Sequence, residues 1–294
     1  PSIPAGRLRD FINRIESSKV KVSIIPRSFS IISKETVNVN DLTDVDILAL
    51  VGRQPVKQNL LECREFIRGK TVLVTGAAGS IGSWLVTLLA DLNPERIICI
   101  DWWENGTFFL KQELQALNNL VYKIADIKNP RVVDKIFGQY KQDVVFHAAA
   151  YKHVPLMQDN PLEAFNNNVW GSLNLMRQAI AHKVKNFVYV STDKAVNPVN
   201  VMGASKRLGE MLMETLAENQ NTTKFSAVRF GNVIQSNGSV MQIFKRQIDR
   251  GEPLTVTSKD VTRYFMTIEE AAELIVQSAA LGKNGEIFNS GFLI

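Results

Sequence analysis

The stretch "TVLVTGAAGSIGSWLVTLLADL" (71–92) decides the fold. Its first five residues form an apolar, β-branched run without alternation, the pattern of a strand buried on both faces. "SWLVTLLADL" (83–92) carries helical spacing. Between them, "TGAAGSIG" (75–82) turns a strand directly into a helix. Gly76 permits the tight turn, Gly79 lets backbone N–H groups approach a pyrophosphate, and Gly82 lets the helix pack close to the strand. Ser80 and Ile81 open that helix, whose N-terminus carries positive potential. Glycines alone are a weak signal, and a purely structural turn is the alternative. The strand before and the helix after supply the context that a dinucleotide site requires.

Outward from this unit, strand and helix alternate. "RIICI" (96–100), "LVYKI" (120–124), "DVVFHAA" (143–149) and "NFVYVS" (186–191) read as strands, separated by helical stretches at 107–117, 130–138 and 163–181. Such alternation predicts an α/β fold, a doubly wound parallel sheet of the Rossmann type, with ligands outside the carboxyl ends of the strands. Residues 1–69 read differently. "GRLRDFINRIES" (6–17) has helical spacing, "KVSII" (21–25) suits a strand, and a polar stretch leads to "DVDILALVGRQPV" (44–56). The expected organisation is an N-terminal α/β fragment and connector over 1–55, the tail of an upstream domain. The core is expected over 56–294, with 224–294 contributing most of a small C-terminal α/β substrate-binding part. The chain opens at Pro1 in mid-pattern, so a piece of a longer protein is expected.

The net charge of +5 comes from scattered Lys and Arg. Solvated surface, anionic substrates or an anionic membrane face would each suit it, but no basic stripe interleaved with aromatics points to nucleic acid. The two cysteines, Cys63 and Cys99, suggest neither a disulfide framework nor a zinc site, which fits a reducing compartment. No apolar run is long enough to span a bilayer. His147, His153 and His182 share no metal-ligand spacing with carboxylates, so no metal is expected.

Asp101 ends the second strand about 20 residues after the glycine turn, where a carboxylate accepts from ribose hydroxyls and repels a 2′-phosphate, favouring NAD over NADP. A carboxylate capping a turn would look the same. Asp126, with Ile127 beside it, suits the adenine edge. Ala148, Ala149 and Ala150 in "HAAA" (147–150) keep the fourth strand end small enough for a cofactor to approach, and Asn168 is a further candidate on the cofactor side.

"STDKAVNPVNVMGASKR" (191–207) begins at the end of the fifth strand, so Thr192, Asp193 and Lys194 emerge at the crevice. A helix follows in which Met202 and Lys206 share a face. The spacing matches a Tyr-x-x-x-Lys pair of nicotinamide-dependent oxidoreductases, with Met202 where the tyrosine belongs. A thioether moves no proton, so the acid–base chemistry must rest on other residues or be absent. A solvated Asp–Lys ion pair is the bland alternative for Asp193 and Lys194.

Six segments carry a family resemblance: "LVGRQPV", "GKTVLVTGAAGSIGS", "FHAAAYKHVPLMQDNPLEAFNNNVWGS", "VSTDKAVNPVNVMGASKR", "RFGNVIQSNGSV" and "TRYFMTIEEAAELI". Together they cover most of residues 49–288. The chain resembles the extended short-chain dehydrogenases/reductases, and within them the bacterial nucleotide-sugar 4,6-dehydratases, whose membrane-anchored branch acting on UDP-N-acetylglucosamine carries Met in place of Tyr. The resemblance implies NAD-dependent loss of water across C5–C6, with hydride leaving C4 and returning to C6. It implies Thr192 at the C4 hydroxyl, Asp193 protonating the leaving C6 hydroxyl, Lys194 removing the C5 proton and Lys206 holding the nicotinamide ribose. Asn232, Ser239, Val240 and Arg263 would line the nucleotide and diphosphate, and Lys152 and His153 would face the sugar. It also implies a homo-oligomer, anchored by upstream helices at the cytoplasmic face of the membrane, acting in surface polysaccharide synthesis. A C4 epimerase or ketoreductase, and an inactive NAD-binding module, are the competing readings. Two departures stand out: the tryptophans in "DWWENG" (101–106) and the final "NSGFLI" (289–294).

Overall fold

The computed structural model describes residues 23–24, 43–44, 61–234, 239–256 and 264–289. The chain divides into two compact units, Pro1–Val56 and Lys57–Ile294. In the first unit, β1 (Ser23–Ile24) pairs antiparallel with β2 (Thr43–Asp44). The expected helix at 6–17 and the rest of the expected strand at 21–25 lie outside the described residues.

The second unit opens with α1 (Leu61–Ile67), then β3 (Thr71–Thr75), α2 (Ser80–Asp91), β4 (Arg96–Asp101), α3 (Glu104–Glu113), β5 (Leu120–Ile124) and α4 (Pro130–Tyr140). β6 (Val144–His147) follows, then α5 (Val154–Asp159), α6 (Pro161–Ala164), a π-helical segment over Phe165–Gly171, α7 (Ser172–Ala181) and β7 (Asn186–Val190). After these come α8 (Val201–Glu218), β8 (Lys224–Arg229), β9 (Asn232–Val233), α9 (Val240–Asp249), β10 (Phe265–Met266), α10 (Ile268–Leu281) and β11 (Glu286–Asn289). Seven strands form one parallel sheet in the order β11-β8-β7-β6-β3-β4-β5. Strand order reverses between β3 and β6, so a crevice opens there at the carboxyl ends. The fold is the expected α/β doubly wound sheet.

Alternation along each strand sends neighbours to opposite faces. Val72 and Val74 of β3 join Leu85, Leu89, Ile275 and Val276 in one buried cluster, while Leu73 joins Leu175, Phe187 and Met213 in another. Helices α1, α2 and α10 therefore cover one face, and α4, α7 and α8 the other. Local signals fix several helix ends. Asn129 accepts from the backbone N–H groups of Arg131 and Val132, with Pro130 at the first turn of α4. Thr267 and Glu270 form a reciprocal capping box on α10.

One expectation is corrected. The stretch 163–181 is not one regular α-helix, because Phe165–Gly171 widens into a π segment before α7. One inserted residue barely disturbs apolar periodicity, so the sequence pattern hides it. Residues 224–294 supply elements of both the central layers and a small outer part. β8, α10 and β11 belong to the central layers, and the small part comprises α9 and the parallel β9–β10 pair. Buried Phe225, Ala227 and Val228 require cover on both faces, which a mid-sheet position supplies. Among the described residues, no helix is long and apolar enough to cross a membrane.

Candidate active site

At the end of β3, the glycines are dictated by space. Gly76 has φ +69°, and a Cβ there would lie 2.7 Å from the backbone of Ala149. A Cβ on Gly82 would come 2.0 Å from the Gly76 carbonyl oxygen. This turn floors a cavity of about 490 Å³ lined by Gly76, Gly79, Ser80, Ile81, Gly82, Asp101, Ile127 and Ala148–Ala150. The Asp101 carboxylate is fixed at its edge, Oδ2 accepting from Ala78 N at 3.0 Å and Oδ1 from Trp103 N at 3.0 Å. A narrow glycine floor, the N-terminus of α2 and an anchored carboxylate fit the pyrophosphate and ribose of a dinucleotide. Trp102 and Trp103, 61% and 44% exposed, line the same cavity in place of small polar residues.

Two expected cofactor residues stand elsewhere. Asp126 is exposed, accepts from Lys128 N at 2.9 Å, pairs with Lys128 Nζ at 3.6 Å and does not line the cavity. Asn168 is wholly buried behind the wall. It accepts from Tyr151 N at 2.8 Å and donates to Tyr151 O at 2.9 Å and Ser205 Oγ at 3.0 Å. Asn167 Nδ2 donates to the same side-chain oxygen at 3.1 Å, so all four positions of the Asn168 amide are taken up in tying the strand-end loop to α8. Its neighbour Asn167, which the sequence reading passed over, lines the cavity instead.

Beneath the turn runs a buried chain of polar groups. Ser172 Oγ donates to Asn168 O at 2.7 Å, so it must accept from His147 Nε2 at 2.7 Å. His147 Nδ1 is then an acceptor for Thr75 Oγ1 at 2.7 Å. Burial first, and the Lys206 charge second, hold the imidazole well below its ordinary pKa, which keeps it neutral. His147 is thus a structural link between β3 and the helix layer.

A second cavity, of about 300 Å³, continues from the first, sharing Ile81, Ala148, Ala150, Tyr151, Lys152 and His153. Ser191, Thr192, Lys194, Met202, Lys206, Asn232, Ser239 and Val240 line its far side. Burial holds the Lys152 ammonium below its ordinary pKa, and burial together with Lys152 does the same for His153. Arg263 lies outside the described residues.

Thr192, Asp193 and Lys194 form one hydrogen-bonded group. Thr192 Oγ1 donates to Asp193 Oδ1 at 2.9 Å, and Lys194 Nζ donates to the same oxygen at 2.9 Å and to Asn232 Oδ1 at 3.2 Å. Asp193 does not itself line the cavity and reaches it through these neighbours. Gly203 sets the approach of α8, since a Cβ there would lie 2.3 Å from the Lys194 carbonyl oxygen. A glycine inside an otherwise helical pattern was the available signal for that contact.

Met202 is buried in a small apolar cluster with Met157 and Ala164. Lys206 is 4% exposed, with Nζ 4.0 Å from the Tyr189 ring centroid. Burial lowers its pKa to about 7, opposed by the Glu210 carboxylate. The sequence reading also missed Glu210, a wholly buried acid bonded to Ser191, Arg207 and Arg229.

Comparison with known proteins accords with this geometry. The family described as polysaccharide biosynthesis protein matches residues 72–291. The chain is 42% identical to the "Capsular polysaccharide biosynthesis protein CapD" of Staphylococcus aureus over 98% of its own length and 49% of that relative's. It thus spans about half the length of the curated relatives it matches. The crystal structure of Pen from Bacillus thuringiensis is 35% identical, with a TM-score of 0.73 over 76% of this chain and 71% of that one. UDP-glucose 4-epimerase of Thermotoga maritima, solved with UDP-glucose, is 26% identical, with a TM-score of 0.66 over 74% of this chain and 76% of that one. With the glycine turn, the parallel sheet and these matches in place, the chain belongs to the polysaccharide biosynthesis protein family, built on an extended short-chain dehydrogenase/reductase fold.

Proposed function

We propose that the chain binds NAD and catalyses dehydration of UDP-N-acetylglucosamine to its 4-keto-6-deoxy sugar. The observation carrying this reading is the hydrogen-bonded Thr192–Asp193–Lys194 group beside a buried Met202. When bound, the dinucleotide supplies reversible oxidation at C4 and reduction at C6. The remaining chemistry is proton transfer, which this chain's residues can perform. Moving one proton from Lys194 Nζ to Asp193 along their 2.9 Å bond makes an amine and a carboxylic acid. That amine is the base for the C5 proton, acidified by the C4 ketone, and that acid, reaching the cavity through the Thr192 hydroxyl, delivers its proton to the departing C6 hydroxyl. Asn232 holds Lys194 in place, and the Thr192 hydroxyl relays the C4 proton. Lys206 presents a cation to the nicotinamide ribose, and Asp101 takes the adenosine ribose. Ser239 and Val240 line the substrate side.

A second reading, a nucleotide-sugar C4 epimerase, draws on the name of the Thermotoga maritima neighbour. Met202 weighs against it, because an epimerase of this fold needs the tyrosine as base. Incubation with UDP-N-acetylglucosamine and NAD, followed by mass and NMR analysis, separates the two. A product lighter by one water supports dehydration, whereas UDP-N-acetylgalactosamine alone would sink it. The same reading makes the chain part of a homo-oligomeric, membrane-anchored protein at the cytoplasmic face, in keeping with its net charge of +5.

A further inference from the structure

Resting on Lys206 as the cation of the proposed site, we propose that Glu210 is a positioning residue. It locks the end of β7 to β8 and holds a fixed negative charge one helical turn along α8 from Lys206. The carboxylate is wholly buried and fully engaged. Arg229 grips it with both ends of its fork, Nε to Oε1 at 2.7 Å and Nη2 to Oε2 at 2.6 Å. Ser191 Oγ donates to Oε1 at 2.6 Å, and Arg207 Nη1 to Oε2 at 3.0 Å. Burial pushes the Glu210 acid up, and the bonds from Arg229, Ser191 and Arg207 more than offset it, leaving the group ionised.

Fold stability alone gives little reason for such a cluster, since apolar replacements of buried ion pairs are commonly neutral or stabilising. What Glu210 touches gives a reason. Ser191 lines the sugar cavity and immediately precedes Thr192. Lys206 lies four residues before Glu210 on α8, hence on the same helix face. The groups facing Lys206 are the Tyr189 ring from β7, neutral His147 from β6 and Glu210 from its own helix. Of these three, Glu210 is the anion. Arg229 and Arg207 offset part of its field while holding it in register.

The test is a pH titration of the Lys206 side chain by carbon-13 NMR of lysine-labelled protein, with Lys206→Arg identifying the resonance. Glu210→Gln is expected to lower the midpoint by about one pH unit or more. Arg229→Gln is expected to raise it, because the freed carboxylate then turns its full charge on Lys206. Ser191→Ala removes a hydrogen bond but no charge and should leave the midpoint in place. An unmoved midpoint in Glu210→Gln overturns the proposal. If that variant does not fold by circular dichroism, an unmoved midpoint in Arg229→Gln does so. The midpoint needs no turnover, so failure of the wild-type chain to dehydrate a sugar nucleotide would count against the proposed reaction alone.

Discussion

The Lys206 ammonium rests 4.0 Å above the centre of the Tyr189 ring. The Tyr189 hydroxyl is buried against α8, where a Cβ on Gly209 would lie 2.2 Å from it. Tyr189 therefore serves Lys206 as an aromatic platform and does not replace the tyrosine missing at position 202.

Lys206 is expected to trade stability for function. Its folded pKa of about 7 lies below the ordinary 10.5, so holding the charge costs stability fully below about pH 7. The cost is relieved as pH rises from there toward 10.5. Lys206→Met should stabilise the fold at pH 7 by on the order of 2 kcal/mol, raising Tm by several degrees. It should also abolish turnover. Calorimetry with an activity assay checks both, and a lowered Tm would contradict the sign.

Lys194→Ala should lower kcat at least about a hundredfold, the usual worth of a general base. Asp193→Asn should do likewise, since an amide cannot take the lysine proton. If both variants turned over normally, the inactive-module reading would gain.

Met202→Ala is a packing change against Met157 and Ala164. It should cost about 2–4 kcal/mol of stability and less than about tenfold in activity. Complete loss of turnover with intact folding would refute the assignment of proton transfer to Thr192, Asp193 and Lys194.

His147 should make the fold acid-sensitive. It is held neutral well below 6.5, so its contribution is complete above about pH 6.5 and is lost as pH falls toward the folded value. The slope approaches about 1.4 kcal/mol per pH unit. In urea melts at several pH values, His147→Gln should flatten that slope, whatever its effect on stability at pH 7.

Gly82→Ala should abolish dinucleotide binding, because its Cβ would meet the Gly76 carbonyl at 2.0 Å and displace the turn. Isothermal titration with NAD reads this directly, and retained affinity would mean that the turn yields without loss.

The parallel character of the sheet, its five strands up to Ser191, and the glycine turn were legible because each rests on local pattern: unbroken apolar runs and forced backbone geometry, whereas β8, β11 and the order of the seven strands came from the structure. The sequence by itself therefore determined the fold class and the family. It placed Asn168 at the cofactor, yet only the tertiary structure revealed that the π segment turns this side chain onto Tyr151 and Ser205. It likewise left unread the Glu210–Arg229 grip and the Tyr189 platform. Their partners are 19 residues apart for Glu210 and Arg229, and for Lys206 and Tyr189 lie on different elements. Periodicity reports which face a residue occupies. Hydrogen-bond saturation and buried charge depend on which faces meet, and that is settled only when the layers pack.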